Sequence, residues 1–394
     1  MDISSLFSRF FPAHGPIPPG NYRGNLYTQS SLPNKAHLRV EKDGNGILIL
    51  NGSLVLHLNQ TATELAYYLI QNIPLEKISK NIRKRYGVSQ EQSVADIQKF
   101  ISQIDTLLNI PDLDPVAYLG IERTEVNTGA ISAPYRLDCA LTYRHPDNSF
   151  LRSAPVERVK SERRTEKWES ILRKASDAGI PHVIFTGGEP TLREDLSALI
   201  HFSSQLGMIT GLLTTGCTFN ESNISQLINE CGLDHIMIIF SESDHGIWNT
   251  LRLLIEQDIF LTVHLTITSR NRPQYIEWIE NLQNLGVKNL SLSTNAFELK
   301  DEVLWARNKI SEMGFRLVWD IPVPYSHLHP VSLEIALSEE SNTFTRYPSL
   351  YVEPDGDVLP AQGDFQILGN LLHDSWESIW NAALERRRVT RGVS

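Results

Sequence analysis

The segment HVIFTGGEPTLREDL, residues 182–196, decides the fold assignment. An apolar run typical of a buried strand leads into Gly187-Gly188-Glu189-Pro190, and a helical pattern follows. Glycines let a backbone approach a ligand closely, and amides that follow a strand can bind a carboxylate. Glu189 adds an acceptor for an ammonium group. The turn therefore predicts a site for a ligand with the paired charges of an amino acid; the alternative is a tight turn without a ligand.

Strand and helix patterns alternate on both sides of this turn. We expect strands at 136–142, 182–186, 209–214, 235–240, 260–267, 289–293 and 315–319, with amphipathic helices between them. Such alternation predicts an α/β fold with a parallel sheet and right-handed crossovers. Six or seven strand–helix units fit an open or partial barrel better than a closed barrel of eight.

The region before this sheet has a different organisation. Short alternating runs between residues 36 and 58 are separated by Asp43-Gly44 and Asn51-Gly52, dipeptides that favour hairpin turns. Helical patterns follow at 61–71, 74–87 and 89–109, and Thr61 with Glu64 resembles a capping box. Residues 36–109 therefore predict a small α+β domain of the winged-helix type.

The remaining segments have weaker patterns. We expect an irregular lead-in at residues 1–35 and a linker at residues 110–134. We expect a short irregular C-terminal extension with few regular elements at residues 321–394. The domain with the parallel sheet then spans residues 135–320.

Charge and cysteine content exclude several classes of protein. The 394 residues include 36 Lys and Arg against 46 Asp and Glu, a net charge of −10, which disfavours nucleic acid as a partner. No apolar run of about 18 residues is present, and the N-terminus lacks the basic and apolar regions of a signal peptide. We expect a cytoplasmic protein that does not interact with a membrane. Cys139, Cys217 and Cys231 form no CxxC pair and no disulfide framework.

The Gly-Gly-Glu-Pro turn after the second strand and the string YRLDCALTYR (135–144) on the first resemble the radical SAM superfamily. The resemblance implies a partial (βα)6 TIM-like barrel, in which Gly187, Gly188, Glu189 and Pro190 contact the methionine end of S-adenosylmethionine. Residues 36–109 are similar to PqqD-like domains that bind leader peptides. The tail, which contains PDGDVLP (354–360), looks like a SPASM or Twitch extension.

The chain departs from the family at the positions of the iron–sulfur ligands. The family pattern CxxxCxxC falls on His145, Ser149 and Arg152, and an arginine cannot ligate iron. Starting the pattern at Cys139 supplies no three thiolates either. We therefore expect no [4Fe–4S] cluster, no catalytic residue and no metal. S-adenosylmethionine remains the candidate cofactor that the resemblance implies.

Two further candidate ligand residues lie on later strands. In 261–268 the polar residues alternate with apolar ones and include His264, which predicts a polar, hydrated inner face of the barrel. The alternative is a half-open hydrated sheet without a ligand. Ser241 follows the fourth strand, where family members often have a residue near the ribose of S-adenosylmethionine; a solvated loop is the simpler interpretation.

These patterns predict a degenerate radical SAM protein that binds a leader or precursor peptide. It would act as a scaffold beside a catalytically active radical SAM partner in the maturation of ribosomally made peptides. The alternative is a peptide-modifying enzyme that uses S-adenosylmethionine with unconventional or no cluster ligation. A DNA-binding winged helix is a third class, which the acidic balance disfavours.

Overall fold

The computed structural model describes residues 17–27, 34–51, 54–109, 131–146, 157–159, 161–241, 246–294, 296–318, 349–364 and 366–391. The chain divides into two compact units. The N-terminal unit comprises Met1–Ala133 with Asp177–Pro181, and the C-terminal unit comprises Pro134–Ser176 with His182–Ser394.

The N-terminal unit contains a four-stranded antiparallel sheet in the order β1-β2-β3-β4. Its strands are β1 (Gly20–Leu26), β2 (Asn34–Val40), β3 (Gly46–Leu50) and β4 (Leu54–Leu58). The sequence predicted the last three, whereas β1 falls in the lead-in that was expected to be irregular. That expectation is wrong for these residues. β1 alternates Asn21, Arg23 and Asn25 with Gly20, Tyr22, Gly24 and Leu26, but two of its four inward positions are glycines, so the sequence pattern is weak and the conformation depends on pairing with β2 over seven residues.

Three helices follow the sheet, as predicted: α1 (Gln60–Ile70), α2 (Leu75–Tyr86) and α3 (Gln90–Asn109). The predicted capping box is wrong, because the side chain of Asn59 caps α1 by accepting a hydrogen bond from the Ala62 amide at 2.9 Å. The carboxylate of Glu64 is instead buried, where it accepts hydrogen bonds from the hydroxyls of Tyr68 at 2.8 Å and Tyr86 at 2.9 Å.

The C-terminal unit is built on a ten-stranded sheet. Its first seven strands, β5 to β11, lie side by side in chain order, and three later strands continue the sheet on the other side of β5. Neighbours from β5 to β11 are parallel, which confirms the predicted parallel sheet. These strands are β5 (Arg136–Thr142), β6 (His182–Gly187), β7 (Ile209–Thr214), β8 (His235–Ile239), β9 (Phe260–Ile267), β10 (Asn289–Thr294) and β11 (Arg316–Leu317).

Amphipathic helices connect the parallel strands. They are α4 (Thr165–Asp177), α5 (Leu196–Gln205), α6 (Glu221–Ser225), α7 (Ile247–Ile255), α8 (Tyr275–Leu285) and α9 (Lys300–Glu312). Trp168 of α4 and Tyr275 of α8 are among the largest fully buried side chains. None of the described helices is both long enough and apolar enough to span a bilayer.

The sheet of the C-terminal unit is strongly curved. Val318, at the end of β11, belongs to one apolar cluster with Ile184, Leu213, Met237 and Ile239 from β6, β7 and β8. β8 and β11 are separated by two strands, and neighbouring strands lie about 4.8 Å apart, so a flat sheet would hold them about 14 Å apart. Side-chain contact across that separation requires the sheet to bend around the cluster.

The C-terminal segment is more regular than expected. β12 (Ser349–Val352) adds to the main sheet in parallel beside β5, and β13 (Asp357–Leu359) and β14 (Gly369–Asn370) extend it in antiparallel fashion. Helix α10 (Trp376–Arg391) follows. The expectation of an irregular extension is therefore wrong for the described residues of 349–391. β12 pairs with β5, which lies about 200 residues earlier in the chain, and β13 and β14 add to β12 in turn, so no local pattern indicated these short strands.

Candidate functional site

The Gly-Gly turn brings the end of β6 against the end of β5. The Gly188 amide donates to the Thr142 carbonyl at 2.7 Å, and the Glu189 amide donates to the Arg144 carbonyl at 2.9 Å. A Cβ on Gly187 would lie 2.0 Å from the Thr142 oxygen, and one on Gly188 would lie 2.3 Å from the Arg144 oxygen. The glycines are thus needed for backbone approach between two strands, and these two amides are already used by protein carbonyls.

The carboxylate of Glu189 is fully buried and holds the ends of β6 and β7 together. Its Oε1 accepts from the Thr191 amide at 3.1 Å and from the hydroxyls of Thr191 and Thr214, each at 2.6 Å. Its Oε2 accepts from the amide and hydroxyl of Thr215 at 2.8 and 2.6 Å. Pro190 begins a 3₁₀ turn at Pro190–Leu192 that places Thr191 beside the carboxylate. The Glu189 carboxylate, which was predicted to accept a hydrogen bond from a ligand's ammonium group, is therefore already bound by five donors of the protein.

An ionic network fixes the chain immediately after β5. Glu162 accepts hydrogen bonds from the Thr142 hydroxyl and from the Arg144 guanidinium, whose Nε and Nη2 each lie 3.2 Å from a carboxylate oxygen. Arg193 lies 3.7 Å from the same carboxylate and forms a bidentate pair with Asp195. Burial alone would raise the pKa of Asp195, but hydrogen bonds from Arg193 and Thr165 outweigh it and hold the pKa below its usual value.

The positions expected to hold the iron–sulfur ligands contain no thiol. His145 follows Arg144 and is half-buried, whereas Ser149 and Arg152 lie outside the described residues. Cys139 is buried within β5, and burial raises the pKa of its thiol well above the usual value. Cys217 follows the carboxyl end of β7 and Cys231 precedes the amino end of β8. They therefore lie at opposite ends of the parallel strands, about 20 Å apart along the strand direction. The residues present do not fit a [4Fe–4S] cluster.

The polar residues of β9 and β10 share one buried face, as their alternation predicted. His264 is fully buried; its Nδ1 lies 3.0 Å from the Ser291 hydroxyl and its Nε2 lies 2.9 Å from the Ser293 hydroxyl. Thr266 completes the cluster with a 3.2 Å contact to Ser293. The hydroxyls bind the imidazole from both sides, which fixes the ring. Ser241, in contrast, is exposed just after β8.

Two hydroxyls on the same side of the sheet are buried without a hydrogen-bond partner among the described residues. They belong to Thr186, directly before the Gly-Gly turn, and to Thr262 of β9. A buried hydroxyl without a hydrogen-bond partner is energetically costly. Thr186 and Thr262 are therefore two positions on this side of the sheet that can bind water or a polar group.

A cluster that the sequence did not reveal lies where β12 meets the loop after β5. The Tyr143 hydroxyl donates to the buried Glu353 carboxylate at 2.9 Å, and Arg158 pairs with both Glu353 and Asp357. Burial raises the pKa of Glu353, against the effect of Arg158. Glu353, Asp355 and Asp357 lie close enough to share a cation, but the guanidinium of Arg158 already supplies positive charge there. The partners are about 200 residues apart in sequence, so no local pattern could have indicated them.

Comparison with known proteins supports the fold. No family model matches the chain. Streptococcus suis SuiB bound to S-adenosylmethionine superposes with a TM-score of 0.58 at 17% identity, over 90% of this chain and 88% of that one. SuiB bound to the precursor peptide SuiA superposes with a TM-score of 0.55 at 16% identity, over 87% and 86% of the two chains. The chain thus shares the fold of SuiB over most of its length.

Proposed function

We propose that this protein binds a leader or precursor peptide without a [4Fe–4S] cluster and serves as a non-catalytic component of a peptide-maturation system. A catalytically active radical SAM protein would be its partner. Within this assignment residues 36–109 are a PqqD-like recognition domain and residues 321–394 a degenerate SPASM-like or Twitch-like extension. The observation that carries the assignment is the outer edge of β4 in the N-terminal unit, with which no other described strand pairs.

β4 is suited to pair with an extended peptide. Among the described strands it pairs with β3 alone, so we expect the backbone groups on its outer side to be available for another strand. Leu54 and Val55 are half-buried and would contact apolar side chains of an added strand. The opposite edge, β1, instead exposes Asn21, Arg23 and Asn25, which offer no apolar surface. SuiB, which shares the fold, has been solved with a precursor peptide.

The positions of the three cysteines support the proposal of a non-catalytic role. They lie in or beside different strands and so do not form one group of thiols. Radical chemistry in this superfamily fold depends on a cluster held by thiolates. The expected contacts to S-adenosylmethionine are also weakened, because the Gly188 and Glu189 amides and the Glu189 carboxylate are bound to protein groups. The alternative, an enzyme that uses S-adenosylmethionine without a cluster, is supported by the SuiB complex with that molecule and by the unpaired hydroxyls of Thr186 and Thr262.

The peptide-binding proposal is tested with synthetic peptides encoded by small reading frames beside the gene. We expect one of them to bind the full chain in fluorescence anisotropy and to slow hydrogen exchange of the amides in 54–58. Val55→Lys places a charge on the β4 edge and should weaken binding about tenfold or more. Asn25→Lys on β1 is the matched control and should bind as the unmodified chain does. Binding that protects other segments, or that both variants retain, would contradict the assignment of β4.

The absence of a cluster is tested by anaerobic reconstitution with iron and sulfide. We expect no stoichiometric [4Fe–4S] signal in electron paramagnetic resonance. Any residual iron should be unchanged by Cys217→Ser, which removes the exposed thiol among the three cysteines. Calorimetric titration with S-adenosylmethionine should show no saturable heat. A stoichiometric cluster, or saturable binding of S-adenosylmethionine, would favour the enzyme instead.

A further inference from the structure

Helix α2 carries a concentration of positive charge that the peptide-binding edge does not use. Its twelve residues, LEKISKNIRKRY, include five cations and one acidic residue. Ile78, Ser79 and Ile82 face the core, and the cations Lys77, Lys80, Arg83, Lys84 and Arg85 are exposed. The whole stretch 1–133 contains twelve Lys and Arg, so one helix holds five of them.

Helix electrostatics account for part of this charge only. Arg83, Lys84 and Arg85 lie in the last turn, where cations interact favourably with the helix dipole. Lys77 lies in the first turn, where a positive charge is unfavourable, and Lys80 follows one turn later. Lys77, Lys80 and Lys84 are spaced three and four residues apart, so they lie on one face of the helix and repel one another.

The same three lysines have no ion-pair partner in the part of the chain that the structure describes. Arg85 pairs with the buried Glu64 at 3.2 Å, and Arg83 donates to Gln90, so both help to hold the domain together. Among the residues that the structure describes, Lys77, Lys80 and Lys84 form no ion pair. Glu76, four residues before Lys80, does not pair with it either. The repulsion among the three ammonium groups is therefore not relieved within the described part of the protein.

We infer that the α2 face formed by Lys77, Lys80 and Lys84, the basic face, is a docking surface for an acidic segment of a partner protein. Charge complementarity argues for this occupant, since carboxylates on a partner would relieve the repulsion and steer association. Nucleic acid is disfavoured because residues 134–394 contain 34 Asp and Glu against 24 Lys and Arg, and this excess would repel a phosphate backbone. The surface is distinct from the β4 edge and does not depend on peptide addition there.

Selection of a displayed random-peptide library on the full chain tests this inference. We expect the selected peptides to be enriched in Asp and Glu, and their binding to weaken when salt is raised. Reversing the basic face with K77E, K80E and K84E together should reduce their affinity about tenfold or more. These side chains are exposed, so circular dichroism and urea unfolding should show that the triple variant is folded.

Two comparisons separate the basic face from general charge and from the β4 edge. Reversing Lys167, Lys288 and Lys309 of the C-terminal unit changes net charge equally and should leave binding intact, as should Val55→Lys. The inference is overturned if the selected peptides show no acidic excess or if the K77E/K80E/K84E variant binds them unchanged. It is also overturned if a short DNA duplex binds the full chain and is lost in that variant, because the basic face would then be a nucleic-acid site.

Discussion

Replacing Glu189 by alanine is expected to lower the free energy of unfolding of the C-terminal unit by about 3 to 5 kcal/mol. The carboxylate is fully buried and accepts five hydrogen bonds from Thr191, Thr214 and Thr215, so its removal leaves several buried donors without an acceptor. Urea unfolding followed by tryptophan fluorescence measures this directly. All seven tryptophans lie beyond residue 134, so the signal reports the C-terminal unit.

Glu194→Ala is the matched control for this variant. Glu194 lies five residues further along the chain and is exposed, so its loss should change the unfolding free energy by less than about 0.5 kcal/mol. A role for Glu189 in ligand binding predicts the reverse result, namely near-normal stability with loss of affinity for S-adenosylmethionine. If Glu189→Ala unfolds at the same urea concentration as the unmodified chain, the carboxylate does not stabilise the contact between the ends of β6 and β7 as its hydrogen bonds indicate.

The parallel strands were predictable from sequence because each is a short apolar run followed by a helical period. Predicted and observed strand ends agree closely at 136–142, 209–214 and 260–267. The polar face of β9 was also predictable, since alternation alone places His264 and Thr266 on one side. In both cases the information lies within a few consecutive residues.

Other features depend on partners that are distant in sequence. β1 has only two apolar side chains, Tyr22 and Leu26, so its local pattern is weak and it depends on pairing with β2. Glu64 has the spacing of a capping residue, but it is held in the core by Tyr68 and Tyr86, the latter 22 positions away. The role of Gly187 and Gly188 was predicted as an approach to a ligand, whereas the close approach that the structure requires is to β5. A local glycine motif indicates that the backbone makes a close approach, but it does not indicate whether the neighbour is a ligand or another strand.

The second large expected effect concerns two histidines at the amino ends of the parallel strands, opposite the end that carries the Gly-Gly turn. His182 and His235 begin β6 and β8, and their Nε2 atoms are 2.7 Å apart. The His235 ring lies over β7, where a Cβ on Gly211 would be 2.2 Å from it. Such a contact requires one nitrogen to donate and the other to accept. Adding a proton to the accepting ring would place two N–H groups against each other in a part-buried site.

We expect stability to fall as pH is lowered from about 6.5 to about 4 because of His235. Burial lowers its pKa to about 4; the charge of Arg136 acts in the same direction, and Asp234 opposes it. The unfolded chain binds a proton with a pKa near 6.5, so it gains protons in this range while the folded chain does not. The stabilisation is complete above pH 6.5, and about 3 kcal/mol of it is lost by pH 4. Urea unfolding at a series of pH values measures the slope.

His235→Gln separates this effect from the carboxylates that also titrate in acid. The variant is less stable overall because it loses the contact with His182, but its unfolding free energy should vary less with pH between 6.5 and 4. His201→Gln removes an exposed histidine on α5 and should leave the slope of the unmodified protein unchanged. Parallel profiles for the unmodified protein and His235→Gln would mean that the half-buried His235 ring takes up its proton as readily in the folded as in the unfolded chain. The pair of imidazoles would then not be what makes the C-terminal unit sensitive to acid.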